Sequence, residues 1–274
     1  MELTDAVVVV TGGGSGIGAA MGRRFAAEAP AVVVVADLDG DAAARVAEDV
    51  RDAGAAHGTV VEARAVDVAV EAQVGALVGA VQMQHGTIDL FCANAGIGTA
   101  AGIEASDAAW EQIWHVNVMA HVYAARALLP GWLERGRGHL LTTASAAGLL
   151  TNLGDAPYTA TKHAAVGLAE WLAITYGDRG VGVSCLCPQG VRTPLLFPDA
   201  GGAGDGALAL EVVKAQRVIE PEEVADAVVD GLRSETFLIL PHPEVADYER
   251  ARAGDRDRWL RSMRKLQARI SGGR

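Results

Sequence analysis

Seven short apolar runs punctuate the chain, and the stretches between them repeat apolar residues at three- and four-residue intervals. The runs are AVVVV (6–10), AVVVVA (31–36), TVVEARAV (59–66), IDLFCA (88–93), GHLLTTA (138–144), VGVSCLC (181–187) and TFLIL (236–240). Their lengths and β-branched content predict seven strands. Helical spacing covers 19–29, 41–53, 70–85, 106–135, 157–176 and 221–232, with Asp41 and Ser106 as N-caps and Pro157 and Pro221 in first turns. Strands apolar on both faces and joined by helical crossovers predict an α/β fold, a doubly wound parallel sheet with helices on both faces.

No linker interrupts that alternation, so residues 1–243 are expected to form one domain. Two segments stand outside the pattern. PLLFPDAGGAGDGALAL (194–210) mixes apolar residues with a glycine-rich stretch and reads as a mobile flap over about 194–215. The tail, 244–274, carries Trp259, Leu260, Met263, Leu266 and Ile270 at roughly helical spacing, which predicts an amphipathic helix packed on the body or on another subunit.

Composition narrows the partners. The 274 residues are half apolar, and the formal net charge of −11 disfavours nucleic acid, an anionic membrane surface or an acidic carrier protein. A small molecule becomes the expected ligand. Cys185 and Cys187 share a strand face near the upper limit of disulfide separation, and Cys92 is remote, so three free buried thiols are expected. With no signal peptide, apolar run of membrane length or lipidation box, the expected location is the cytoplasm.

TGGGSGIG (11–18) follows the first strand and opens the first helix. Glycines there permit a tight turn and bring backbone N–H groups to a pyrophosphate at the positive end of a helix. Gly12, Gly16 and Gly18, with Ser15 and Ile17 between them, are the candidate cofactor loop. The second strand ends at Asp37, nineteen residues after Gly18. A carboxylate at that place accepts both hydroxyls of an adenosine ribose and repels a 2′-phosphate. Neither the loop nor Leu38 offers a basic side chain, so NAD is favoured over NADP.

DAPYTATKHAA (155–165) places Tyr158 four residues before Lys162, one of only three lysines against twenty arginines. On a helix the two share a face. A cation about 4–5 Å from a phenol favours phenolate by roughly 3–4 kcal/mol, which would bring a tyrosine into use as an acid or base. Lysine also has three donors on a long stem, suited to ribose hydroxyls. Ser145, at the end of the fifth strand, can hydrogen-bond a substrate oxygen.

These residues resemble the short-chain dehydrogenase/reductase family, single-domain branch, over about residues 5–240. The resemblance extends to Asp67 and Val68 as an adenine contact, to Asn94, Ala95 and Gly96 after the fourth strand, and to Asn117 with Ser145, Tyr158 and Lys162 as the catalytic set. It implies a Rossmann-like seven-stranded sheet in a homodimer or homotetramer. By the same resemblance Ser145 polarises the substrate oxygen, Tyr158 exchanges its proton, Lys162 binds the nicotinamide ribose and lowers the tyrosine pKa, and Asn117 holds a relaying water. PQGVRT (188–193) keeps Pro188, Val191 and Thr193 beside the carboxamide but has Gln189 where the family usually has glycine.

The expected function is therefore NAD-dependent interconversion of a secondary alcohol and a ketone. Gln189, Leu153, Leu195 and Leu196, with Leu149, Leu150 and Phe197 nearby, are expected beside Ser145 in the substrate pocket; no Lys or Arg lies between Thr193 and Leu210. That predicts an uncharged, hydrophobic substrate. The alternatives are an NADPH-dependent carbonyl reductase and a catalytically silent NAD-binding sensor or scaffold.

Overall fold

The valine runs explain the centre of the molecule. In the computed structural model, which describes residues 1–197 and 217–271, Val7–Thr11 (β1) and Val32–Asp37 (β2) pair in parallel with Val7 opposite Val32. Val8, Val9, Val10, Val33 and Val34 are fully buried, because helices cover both faces of the sheet. The remaining strands are Val60–Ala65 (β3), Leu90–Ala93 (β4), Gly138–Thr143 (β5), Val181–Leu186 (β6) and Leu238–Ile239 (β7). All pairings are parallel, in the order β3-β2-β1-β4-β5-β6-β7. This is the Rossmann-like sheet that the sequence implied.

The helices among the described residues are Gly16–Ala26 (α1), Gly40–Gly54 (α2), Glu71–His85 (α3), Asp107–Trp114 (α4), Ala120–Arg135 (α5), Ala146–Leu149 (α6), Ala156–Tyr176 (α7), Pro221–Arg233 (α8), Glu244–Gly254 (α9) and Arg256–Ser271 (α10). One face of the sheet packs against α1, α2 and α8, the other against α3, α5 and α7. Strand order reverses between β1 and β4, so a crevice opens at the carboxyl ends of those two strands.

Four expectations change in detail. Helix α1 starts at Gly16, three residues before its apolar periodicity, because glycines carry no side chain for a periodicity to register. The N-cap of α2 is Asp39, not Asp41: its carboxylate accepts from the Asp41 and Ala42 amides at 3.0 Å. The expected helix over 106–135 is broken by a π turn at His115–Met119. The tail forms two helices, parted where Asp255 is extended, and Trp259 of α10 packs against the core. The expected flap falls mostly outside the described residues, from 198 onward.

Candidate active site

The glycine loop leaves β1 and turns into α1 with Gly12 and Gly16 at φ of +62° and +50°. A Cβ on Gly16 would sit 2.9 Å from Thr193 Cγ2, so the loop and the 188–193 segment meet across a gap that only glycine permits. Gly18 is packed against the Gly12 carbonyl with no room for a side chain. Ser15 is the N-cap of α1 and makes no capping bond, which leaves the first amides of α1 unengaged by that side chain. Ile17 packs against the α1/α8 core.

Asp37 stands beside this loop. Its carboxylate accepts from the Gly14 amide at 2.9 Å and from the Asp39 amide at 3.1 Å. Leu38 is 73% exposed and turned away from the core. Asp67 turns the chain after β3, accepting from the Ala69 amide at 2.9 Å, while Val68 is buried. Asn94 braces the loop. Its Nδ2 donates to the Thr11 and Gly12 carbonyls at 3.0 and 3.3 Å, and its Oδ1 accepts from Thr143 at 3.0 Å. Ala95 and Gly96 follow directly; a Cβ on Gly96 would lie 3.2 Å from Lys162 Nζ and 3.3 Å from Asn117 Oδ1.

The four expected catalytic residues come together at the ends of β4 and β5. Ser145 is buried and N-caps α6, accepting from the Ala147 amide at 3.1 Å and donating to the Pro188 carbonyl at 3.4 Å. Lys162 is 3% exposed, its Nζ donates to the Thr143 carbonyl at 3.0 Å and lies 5.4 Å from the centre of the Tyr158 ring. Asn117, in the π turn, is fully buried: Oδ1 accepts from the Ile97 amide at 2.9 Å, and Nδ2 donates to the Ile97 carbonyl at 2.9 Å and to Thr161 at 3.3 Å. Its side chain ties the loop after β4 to α7. Pro188 and Val191 are buried, and Val191 bridges to Ile219.

The electrostatics differ from the expectation. Although Tyr158 keeps part of its surface open to the cleft, burial pushes its hydroxyl up to about 12, the Ser145 hydroxyl pulls it back, and Asp155 pushes it further up. Burial also drives the Lys162 ammonium down to about 8. Desolvation therefore outweighs the help that lysine was expected to give the phenolate.

On the substrate side, Leu195 is 54% exposed and Leu153 and Leu196 are half-buried. A Cβ on Gly98 would lie 3.8 Å from Leu195 Cδ1 and 4.0 Å from Tyr158 Cδ2, so both side chains border this glycine. Leu149 and Leu150, expected in the pocket, are instead part of the core beneath α7. The Gln189 amide N–H meets His242 Nδ1 at 3.2 Å, and its side-chain Oε1 is buried without a partner among the described residues. Sγ atoms of Cys185 and Cys187 are 3.8 Å apart; both thiols, like Cys92, are free and buried.

A family model described as short chain dehydrogenase matches residues 6–199. The chain belongs to that family. Like its other members it is an NAD(P)-binding oxidoreductase, acting on the hydroxyl or carbonyl of small molecules. Its relatives include a 1-deoxy-11-beta-hydroxypentalenate dehydrogenase of Streptomyces exfoliatus, 37% identical over 89% of this chain and 86% of that protein. Another is a 3beta-hydroxysteroid dehydrogenase of Eggerthella lenta, 34% identical over 70% of this chain and 73% of that protein. A crystal structure of a short chain dehydrogenase/reductase from Burkholderia phymatum in complex with NAD superposes with a TM-score of 0.83 at 32% identity, covering 94% of this chain and 96% of the other.

Within this family member, sequence reasoning missed Asp155. Its buried carboxylate caps α7 at the Tyr158 amide, 2.9 Å, and accepts from the Thr99 and Ala100 amides at 2.8 Å and the Thr99 hydroxyl at 2.7 Å. It thus fixes the height of Tyr158 against the loop after β4. The signal was present, an Asp two residues before Pro157 at a helix start. His242 beneath Gln189 had no such signal, because 53 residues separate them. Among the described residues, no helix is long and apolar enough to cross a membrane.

Proposed function

We propose that this chain is an NAD-dependent dehydrogenase that interconverts a hydrophobic secondary alcohol and its ketone. The observation that carries the reading is the convergence of Ser145, Tyr158 and Lys162 at one cleft, within reach of the glycine loop. Bound NAD would supply the hydride acceptor at that cleft. Gly12, Gly16 and Gly18 fit its pyrophosphate, because the loop has no side chain where a phosphate must approach backbone N–H groups. Asp37 fits the adenosine ribose and excludes a 2′-phosphate, and the NAD-bound relative supports the same choice. Asn94, Ala95 and Gly96 would wall the crevice, and Pro188, Val191 and Thr193 would close the carboxamide end.

Tyr158 is protonated at neutral pH in the free site and is therefore set to donate to a ketone oxygen; in the other direction it takes the alcohol proton only after its own hydroxyl proton has passed to solvent. Ser145 holds the same oxygen. Lys162 anchors ribose hydroxyls from below, and Asn117 keeps Lys162 and the loop after β4 in register. Leu153, Leu195 and Leu196 supply an apolar pocket, with Gln189 Oε1 as one acceptor inside it. A cytoplasmic homodimer or homotetramer completes the reading, supported by Trp171 and Ile174, 56% and 84% exposed on α7.

A second reading, a carboxylate-bearing substrate, is favoured by the pentalenate in one relative's name, since that word denotes an acid anion. It would use Arg192, whose guanidinium lies 5.4 Å over the Phe197 ring while pairing with Glu220 at 2.7 Å. A panel of neutral secondary alcohols and carboxylate analogues of matched shape, each with NAD and read by NADH absorbance, tests both. At least tenfold higher kcat/KM for the neutral member is expected. The reverse preference, abolished by Arg192→Gln, selects the second reading, and no turnover across the panel refutes both.

A further inference from the structure

His242 follows β7 and is fully buried. Its backbone is held from both sides. The chain arrives from β7, where the Ile239 carbonyl accepts from the Cys187 amide at 2.9 Å, and the His242 carbonyl accepts from the Val245 amide at 3.1 Å as α9 begins. The ring lies between two backbone groups: Nδ1 stands 3.2 Å from the Gln189 amide nitrogen and Nε2 stands 3.1 Å from the Arg217 carbonyl. An amide N–H only donates and a carbonyl only accepts, so Nδ1 presents its lone pair and Nε2 carries the proton. Burial, against the pull of the Arg217 carbonyl and Glu244, keeps the His242 pKa below its ordinary value, so the imidazole is neutral at pH 7.

The Gln189 N–H belongs to the same peptide unit as the Pro188 carbonyl, and a peptide unit is a rigid plane. At the opposite edge of that plane the Pro188 carbonyl accepts from the Ala146 amide at 2.9 Å and from the Ser145 hydroxyl at 3.4 Å. One plane therefore runs from the His242 ring to the serine that polarises the substrate oxygen. The segment beyond it is fastened separately: Ile219 donates to the Gly190 carbonyl at 3.1 Å and accepts from the Arg192 amide at 2.9 Å.

We propose that His242 is a positioning residue for Ser145: by accepting from the Gln189 amide it sets the orientation of the Pro188–Gln189 peptide, and with it the place where the Pro188 carbonyl holds the serine hydroxyl. Without that acceptor the plane is held at one edge only. His242 acts through the peptide and touches none of the reacting atoms. The inference rests on the dehydrogenase reading given above for the reaction it serves, but not for the peptide geometry.

Two substitutions divide the two contacts of the imidazole. An asparagine oxygen reaches where Nδ1 stands, and a glutamine amide nitrogen reaches where Nε2 stands. On the secondary alcohol that wild type oxidises fastest with NAD, His242→Asn should keep kcat within threefold. His242→Gln should lose at least tenfold in kcat, with KM and the calorimetric NAD affinity within twofold. Crystal structures should show Ser145 Oγ and the Pro188 carbonyl in place in the asparagine variant and displaced in the glutamine variant. A kcat no lower in the glutamine variant than in the asparagine variant, a loss carried by KM or by NAD affinity, an undisturbed Ser145 in the glutamine variant, or failure of either variant to fold overturns the proposal and leaves His242 to the fold alone. A wild type that oxidises no alcohol refutes the dehydrogenase reading instead, and the two crystal structures then decide the role of His242 without it.

Discussion

At the scale of single residues, Tyr158 and Lys162 show how far a spacing reaches. Four residues on a helix put them on one face, and they are on one face; what the spacing does not carry is the desolvation that dominates both groups. The Tyr158→Phe variant should lose at least a hundredfold in turnover yet keep its NAD affinity, since only the proton-carrying hydroxyl goes. Substantial residual turnover would remove Tyr158 from its role. Lys162 yields a less intuitive outcome. Its pKa is about 8 folded against 10.5 free, so its cost to the fold is fully present below about pH 8 and is relieved as pH rises towards 10.5. That shift corresponds to about 3 kcal/mol, part of it returned by the bond to the Thr143 carbonyl. Lys162→Met should therefore be inactive and, by urea unfolding at pH 7, about 1–2 kcal/mol more stable, with the gain gone above pH 10. A less stable variant at pH 7 would show that the burial cost is overestimated.

At the scale of elements, the strand-to-helix turns are where the proposed preference for NAD is tested. Asp37 ends β2 with its carboxylate already on a loop amide, so a 2′-phosphate would meet that charge at close range. NAD should bind at least tenfold tighter than NADP, about 1.4 kcal/mol, and Asp37→Ser should narrow the ratio. Equal calorimetric affinities for the two would refute the assignment. The start of α7 is a second such turn. Asp155→Ala removes a cap and leaves the Thr99 and Ala100 amides without their acceptor, so a loss of about 2–3 kcal/mol and a fall in kcat are expected together. Stability lost with kcat intact would mean that Asp155 holds the fold but not Tyr158. The strands were legible because valine runs have one reading when helices cover both faces. The π turn at Asn117 was not, because i→i+5 bonding leaves the apolar period almost unaltered.

At the scale of the molecule, burial of neutral histidines sets an acid limit. His121 and His139 are held down to about 3 and 4, chiefly by desolvation, with Lys162 acting on the first and the N-terminal ammonium on the second. Above pH 6.5 both are neutral folded or unfolded, and their contribution is fully present. Between 6.5 and about 4 the unfolded chain takes up protons that the folded one refuses, so stability falls by up to about 2.7 kcal/mol per pH unit. The urea midpoint should be flat from pH 7 to 8 and drop steeply below 6. His121→Leu should make the drop shallower, and an unchanged slope would mean that His121 is not buried neutral.

Taken by itself, the sequence determined the strand count, the parallel sheet, the glycine loop between β1 and α1 and the Tyr158–Lys162 pair, because each is written in neighbouring residues: a β-branched run, a glycine turn, an i,i+4 spacing. Tertiary structure alone decided that Leu149 and Leu150 serve the core, that His242 sits under Gln189, that Thr143 holds Lys162, and that His121 is buried beside a small, mostly apolar cavity. The physical reason is that burial and hydrogen-bond partners belong to the packing of strands and helices 19 to more than 100 residues apart, and no local pattern records which groups that packing removes from water.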